Sequence, residues 1–297
     1  MEIRVLKYFL AVAREQNISA AAESLFLSQP TLSRQLKELE EELGKQLFIR
    51  GSRKITLTEE GLLLRKRAEE IVELLDKTEQ ELSRSDEQVS GEIYIGAGET
   101  DGLRLIAKAA KKLQEQYPQI TYRIISGDAV DITERLDKGL IDFALLLEPV
   151  DISKYSYLKF PVKDIWGVLM RRDCPLAKKK SISPKDLRDM PLIVSRQALD
   201  GSELTQWLKS GNEQLNIVST YNLVYNASLM VDEGLGVALC LDKIINVSGD
   251  SSLCFRPLKP KLEVGMSLVW KKYQVFSKAA EKFILKMQES VNSQQTP

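Results

Sequence analysis

The sequence predicts an α/β protein in three parts: an N-terminal winged helix-turn-helix, a long linker helix, and a C-terminal unit of two Rossmann-like lobes. Three observations predict it. Helical periodicity over residues 3–43 is interrupted twice and then gives way to a short hairpin signal. A charged stretch without proline follows from Thr58. From residue 91 onward, strand-like and helix-like segments alternate, which argues for a parallel sheet covered by helices. The length of 297 residues fits about two domains at roughly 150 residues each.

Within the first part, Val5, Leu6, Phe9, Leu10 and Ala13 recur at helical spacing, so a helix is expected over about 3–15. Asn17-Ile18-Ser19 breaks it, and Ser19 is positioned to cap a short second helix from Ala20 to about Leu25. Ser28 caps the third, whose first turn tolerates Pro30 because proline lacks only an N–H that would be unpaired there. Gly44 ends it near Leu43. Leu32, Leu36, Leu39 and Leu43 form its apolar stripe, while Pro30, Ser33, Arg34 and Lys37 point elsewhere and Gln29 and Thr31 sit at its tip.

That arrangement suits a recognition helix, with Ser28, Gln29, Pro30, Thr31 and Ser33 near base edges and Arg34 and Lys37 on phosphates. Glu38, Glu40, Glu41 and Glu42 lie further along, so only the N-terminal half should dock. Residues 47–57 read as a hairpin with Arg50, Arg53 and Lys54 in or beside its turn. As a wing it would lay Arg53 in a minor groove; the alternative is an ordinary solvated hairpin.

The linker, 58–88, opens with Thr58 as N-cap and Glu59 and Glu60 in the first turn, where the helix dipole favours acids. Leu64, Ala68, Ile71, Leu75, Thr78 and Leu82 step by alternating fours and threes. Such a seam faces a partner helix, giving self-dimerisation, or packs on its own domain.

Charge and composition bound the function. The chain carries 42 Lys plus Arg and 42 Asp plus Glu, which excludes a uniformly basic coat but not a local patch. Residues 1–57 hold 9 basic and 7 acidic side chains, 58–88 hold 5 and 10, and 89–297 hold 28 and 25. The neutrality is therefore a division into a modestly basic, a strongly acidic and a nearly balanced zone. Histidine is absent, which excludes Ser-His-Asp and Cys-His catalysis and imidazole-bound metal. No metal site and no cofactor is expected. Cys174, Cys240 and Cys254 form no CxxC pair and no spacing that argues for a redox switch, so they read as small hydrophobes. Lys7 and Arg14 interrupt the N-terminal apolar stretch, and no apolar run approaches a membrane span, so a cytoplasmic protein is expected.

With those elements in place, the sequence resembles the LysR-type transcriptional regulators. The stretch AAAESLFLSQPTLSRQLKELEEELGKQLFIR followed by ITLTEEG carries the resemblance, and QEQYPQI, RLDKGLIDFALL, CPLAKKKSIS, DMPLIV and VDEGLGVALC continue it in order. The resemblance implies a DNA-binding domain (1–57), a dimerisation helix (58–88) and an effector-binding domain of periplasmic-binding-protein type (89–297). Lobe I is then about 91–162 plus 266–297, and lobe II about 163–265. It further implies tetramers built from dimers, recognition helices in successive major grooves of an interrupted palindrome, and a ligand between the lobes that alters the bend of the bound DNA. The expected partners are double-stranded promoter DNA, a small-molecule effector, further copies of the chain and RNA polymerase, with no membrane.

In the C-terminal unit, strands are expected at 92–96, 121–125, 143–147, 158–170, 191–195, 236–240 and 265–270. Helices are expected at 103–117, 130–138, 202–210, 227–233 and 277–291. Ligands of open α/β sheets bind beyond strand carboxyl ends and at helix N-termini. Those places are Gly98, Glu99 and Thr100; Gly127 and Asp128; Ser195, Arg196 and Gln197; and Ser202. Where the family often has small hydroxyl residues that hold an anion, this sequence has Glu99 and Asp128. Facing a cleft, both would disfavour carboxylates and favour a cation, an amine or a polyol. Pairing with Arg196 would cancel that preference, and either acid could instead face solvent or cap a helix. The competing reading is a small-molecule-binding protein or carboxylate-using enzyme on the same lobes, for which Glu99 and Asp128 are the one candidate pair.

Overall fold

The structure is a computed structural model that describes residues 1–51, 54–82, 89–196, 203–209 and 215–295. The chain divides into two compact units, Met1–Arg84 and Ser85–Pro297.

The first unit contains α1 (Ile3–Glu15), α2 (Ile18–Ser24), α3 (Gln29–Leu43), β1 (Phe48–Arg50), β2 (Ile55–Leu57) and α4 (Glu59–Leu82). Leu6, Phe9, Val12, Ala21, Leu32, Leu36, Leu39 and Leu47 are sealed in one core, and the rings of Phe9 and Phe48 meet at 5.2 Å. The cap of α2 is Asn17, not Ser19: its side-chain oxygen accepts the N–H of Ser19 at 2.8 Å and of Ala20 at 3.1 Å. Gln16 takes a left-handed φ of 54°, so the chain reverses two residues earlier than expected and Asn17 reaches the free N–H groups first. The caps Ser28 and Gly44 stand as expected.

Strands β1 and β2 pair antiparallel from Phe48↔Leu57 to Arg50↔Ile55. Glu40 of α3 accepts the N–H of Leu47 at 2.6 Å and of Phe48 at 3.2 Å, which fixes the hairpin to the helix. The Thr58 hydroxyl caps α4 by accepting Gly61 N–H at 2.9 Å. Gly61 is required there, since a Cβ would lie 2.2 Å from the Leu47 carbonyl oxygen.

The dimerisation seam read from α4 needs a correction at Ala68. Ala68 is fully buried and Leu64 half-buried against the core of their own unit, so the first half of the helix completes the winged domain. A period of 3.5 residues cannot distinguish a neighbour in the same chain from one in another. Further along, Ile71 and Leu82 are exposed, Leu75 is half-buried, and the Thr78 hydroxyl donates to the Leu74 carbonyl at 2.8 Å. Leu62, Leu63 and Leu74, absent from the expected seam, are also exposed apolar residues of α4.

The second unit is built on two mixed sheets. The first has the order β4-β3-β5-β13-β6, from β3 (Gly91–Ala97), β4 (Ile120–Ser126), β5 (Phe143–Leu147), β6 (Tyr155–Lys159) and β13 (Met266–Lys271). Strand β3 runs parallel to β4 and β5, whereas β13 is antiparallel to β5 and β6. Helices α5 (Leu103–Gln116), α6 (Ala129–Asp137) and α9 (Lys278–Gln295) belong with it. Phe143 anchors its core, 5.1 Å from both Phe276 and Phe283.

The second sheet has the order β11-β7-β10-β8-β9, with β12 on β7. Its strands are β7 (Asp164–Arg171), β8 (Leu192–Ser195), β9 (Ile217–Tyr221), β10 (Val237–Leu241), β11 (Leu253–Pro257) and β12 (Glu263–Val264), with α7 (Glu203–Lys209) and α8 (Val224–Asp232). Strands β8, β9 and β10 are parallel; β7 is antiparallel to β10 and β11.

Three expectations change here. The sheets are mixed rather than purely parallel. The single strand expected over 158–170 is two, because the chain crosses from one sheet to the other between Lys159 and Asp164. Helix α8 begins at Val224, three residues before the expected start. The return crossover passes Gly265, where a Cβ would lie 2.3 Å from a Glu148 carboxylate oxygen.

Candidate functional site

Two sites emerge, one in each unit. In the first, Ser28, Gln29, Pro30, Thr31, Arg34 and Lys37 are exposed on α3 and Ser33 is half-buried. The Ser28 hydroxyl lies 2.7 Å from that of Thr31, which holds the tip. The acids on the same helix are closer to the cations than the sequence reading placed them. Arg34 lies 3.7 Å from Glu38 and Lys37 lies 3.4 Å from Glu41, each one turn along. All four are exposed, so these pairs are weak and exchangeable for phosphate. Arg50 ends β1, and Lys54 is exposed with its carbonyl accepting Gly51 N–H at 3.0 Å. The Arg50 side chain and all of Arg53 lie outside the described residues.

In the second unit, a cavity of about 310 Å³ lies between the two sheets. It sits at the carboxyl ends of β3, β4, β5, β8, β9 and β10, where open α/β sheets bind ligands. Of the expected residues, Gly98, Glu99, Gly127, Asp128 and Ser195 line it. Thr100 does not: it is buried, accepts Gly102 N–H at 3.0 Å and donates to Asp164 at the start of β7. Arg196 is off the wall but pairs with Asp128 at 3.0 Å. Gln197 and Ser202 lie outside the described residues.

Sequence reasoning missed much of the wall, including Glu148, Pro149, Trp166, Glu203, Tyr221, Asn222, Val224 and Val264. The β-branched run Ile217–Tyr221 followed by Asn222 was a strand-and-turn signal that would have found two of them. Trp166 on β7 and Val264 on β12 sit beside the two crossovers, where no local signature marks which residue faces the cavity.

Both expected acids are already engaged. Glu99 accepts the backbone N–H of Val224, the first residue of α8. Asp128 caps α6 by accepting Asp131 N–H at 3.0 Å. That hydrogen bond, with the Arg196 guanidinium assisting, holds the Asp128 carboxyl below its usual range. Behind the cavity, Asp164 is buried, which pushes its carboxyl up; the Thr100 hydroxyl opposes the rise and Asp242 and Asp101 add to it. Asp242 is itself occupied by Ile165 N–H at 2.8 Å. The Tyr221 hydroxyl donates to the Leu239 carbonyl at 2.7 Å, and burial drives it well above the usual phenol range. Burial also lifts the Cys240 thiol to about 12 and raises Cys254. Among the described residues no group of three or more His, Cys, Asp or Glu is placed to hold a metal, and no helix is long and apolar enough to cross a membrane.

A capped helix presenting polar and basic side chains, joined in one chain to a two-lobed α/β unit with a cavity, defines the class of ligand-responsive DNA-binding regulators. Residues 3–62 match the profile described as bacterial regulatory helix-turn-helix protein, lysR family, and residues 86–291 match that of the LysR substrate binding domain. The chain belongs to the LysR family of transcriptional regulators. It is 28% identical over 297 residues to the Hca operon transcriptional activator HcaR of Escherichia coli (strain K12), covering 99% of each chain. It is 38% identical over 198 residues to the HTH-type transcriptional regulator BsdA of Bacillus subtilis (strain 168), covering 66% of this chain and 67% of that one. The fold matches full-length CbnR complexed with its target DNA at a TM-score of 0.77, with 21% identity, over 98% of this chain and 100% of that one.

Proposed function

We propose that this regulator reads promoter DNA through the N-terminal tip of α3 and is switched by a small molecule held between its two lobes. The carrying observation is the exposed Ser28-capped tip, with Gln29 and Thr31 exposed where base edges would lie and Arg34 and Lys37 one turn behind on the phosphate side. CbnR, which shares the fold, is described in complex with its target DNA. Two copies place their recognition helices in successive major grooves, so the site is an interrupted palindrome. The second half of α4, with Ile71, Leu75, Thr78 and Leu82, supplies the dimer contact.

In the sensor unit, Gly98, Glu99, Gly127, Asp128 and Ser195 form the effector wall, and Arg196 closes over Asp128 from the opposite lobe. A ligand that fits the cavity better in one lobe arrangement than in another shifts the population of arrangements. Through contacts among further copies of the chain, that shift alters the bend of the DNA and the access of RNA polymerase. The protein works in the cytoplasm and performs no chemistry on its ligand. The two acids an enzyme would have used, Glu99 and Asp128, are occupied by the N-termini of α8 and α6. The test is a footprint on DNA upstream of its own coding sequence. A protected interrupted palindrome is expected; binding that ignores sequence at moderate salt would sink the reading.

A further inference from the structure

The cavity's charge is unusual for a site at helix N-termini. Such ends attract anions, yet here the protein has filled both with its own carboxylates. Glu99 takes the first N–H of α8, and Asp128 caps α6. Among the described residues, every charged one on the wall is an acid: Glu99, Asp128, Glu148 and Glu203. Two have cationic partners, Asp128 with Arg196 at 3.0 Å and Glu148 with Lys159 at 3.0 Å. Those cations are 69% and 61% exposed, so water screens them and they face outward. Glu203 has no ion-pair partner among the described residues, and Glu99 has only the N–H of Val224. A carboxylate has about four acceptor sites, so Glu99 retains capacity for a further donor.

Apart from Ser195, Asn222 and two glycines, the rest of the described wall is apolar or aromatic, with Trp166 and Tyr221 offering ring surface that attracts cations. The volume of about 310 Å³ holds a compact ligand of roughly ten non-hydrogen atoms, at about 30 Å³ for a water-sized group.

The geometry points to an organic amine with a compact apolar body as the ligand class of this cleft, its ammonium held by Glu99 and Glu203, with carboxylates excluded by the protein's own acids at the helix ends. The inference rests on the reading of the cleft as the effector site. Because Glu99 occupies the place an anion would take, its removal should also invert the preference.

The experiment is titration calorimetry with thermal shift on the full chain, using three probes that share a ring and a chain length: 2-phenylethylamine, phenylacetate and 2-phenylethanol. The amine is expected to bind saturably and raise Tm, with the alcohol weaker and phenylacetate silent. Glu203→Gln should weaken the amine about fivefold and leave the alcohol unchanged. Glu99→Ala should weaken the amine and admit phenylacetate at the vacated α8 terminus. Should Glu99→Ala fail to fold, Glu203→Gln still decides. Phenylacetate binding the parent as tightly as the amine, no saturable amine binding, or amine binding unchanged in Glu203→Gln would each overturn the proposal. A footprint on the same preparation separates the two readings. A protein that footprints but prefers phenylacetate loses only the amine assignment. One that binds the amine without protecting a specific site loses the regulator reading.

Discussion

Asp128 joins two lobes and a helix end at once: one carboxylate oxygen accepts Asp131 N–H at 3.0 Å to cap α6, and the other meets the Arg196 guanidinium at 3.0 Å. The two bonds differ in worth. The cap is local and made by a half-buried carboxylate, whereas Arg196 is an exposed partner. Asp128→Ala should cost about 1 kcal/mol of stability and Arg196→Ala clearly less, by urea denaturation of the full chain. Since folding lowers the Asp128 pKa from 3.8, its contribution is complete above that value and disappears as pH falls through the lower native one. Equal losses in the two variants would show that the cap is not the stronger bond.

Asp164 has the opposite sign. Folding raises its pKa above 3.8, so the native state binds more protons and this group makes stability fall as pH rises above 3.8. Asp164→Asn keeps an acceptor for the Thr100 hydroxyl and removes the buried charge. The variant should be more stable than the parent at neutral pH, with the advantage shrinking as the solution is acidified. A variant less stable at pH 7 would mean that the charge is needed where the chain passes from one sheet to the other.

On α3, Arg34→Ala should weaken binding to all DNA sequences and reduce the salt slope by about 1. Gln29→Ala should instead blur preference at one or two base pairs, at roughly 1–3 kcal/mol each. Glu38→Gln should strengthen binding and steepen the slope slightly, because Arg34 then has no competing partner on its own helix. Gel shifts across a salt series measure all three. Parent-like specific binding by both Arg34→Ala and Gln29→Ala would place the recognition surface elsewhere.

Ala68 and Leu82 share a heptad stripe but not a role. Ala68→Asp puts a charge into the winged-domain core and should cost roughly 2 kcal/mol or more. Leu82 is 80% exposed, so Leu82→Asp should leave folding stability within about 0.5 kcal/mol and lower the dimer fraction in sedimentation. A Leu82→Asp protein that dimerises like the parent removes this stretch from the interface.

The thiols should follow burial. Cys174 is partly exposed and Cys240 buried, and only thiolate reacts. Iodoacetamide at mildly alkaline pH should modify Cys174 first and Cys240 only after unfolding, as read by mass spectrometry. Rapid loss of the native Cys240 thiol would contradict its pKa near 12.

Local signals were legible where the physics is local. Ser28, Thr58 and Gly44 announced helix ends because caps act within a few residues, and the stripe of Leu32, Leu36 and Leu39 announced a buried face. Gly98, Glu99, Gly127, Asp128 and Ser195 line the cavity because they follow strand carboxyl ends, which the alternation of strands and helices makes legible. Asn17 displaced Ser19 as a cap because one left-handed residue, Gln16, moved the reversal by two positions.

The sequence by itself determined the order of elements, the third helix with its cap and apolar stripe, the absence of imidazole chemistry and the division of charge along the chain. Only the tertiary structure decided what each feature faces. It sent Ala68 into its own core, Thr100 behind the cavity wall to Asp164, and Trp166 and Tyr221 onto that wall. It also set Glu99 of one lobe at the first N–H of α8 in the other, residues 125 positions apart in the chain. The reason is that periodicity and capping are fixed by neighbours a few residues away, whereas the partner of a carboxylate depends on which distant backbone donor the folded chain brings within reach.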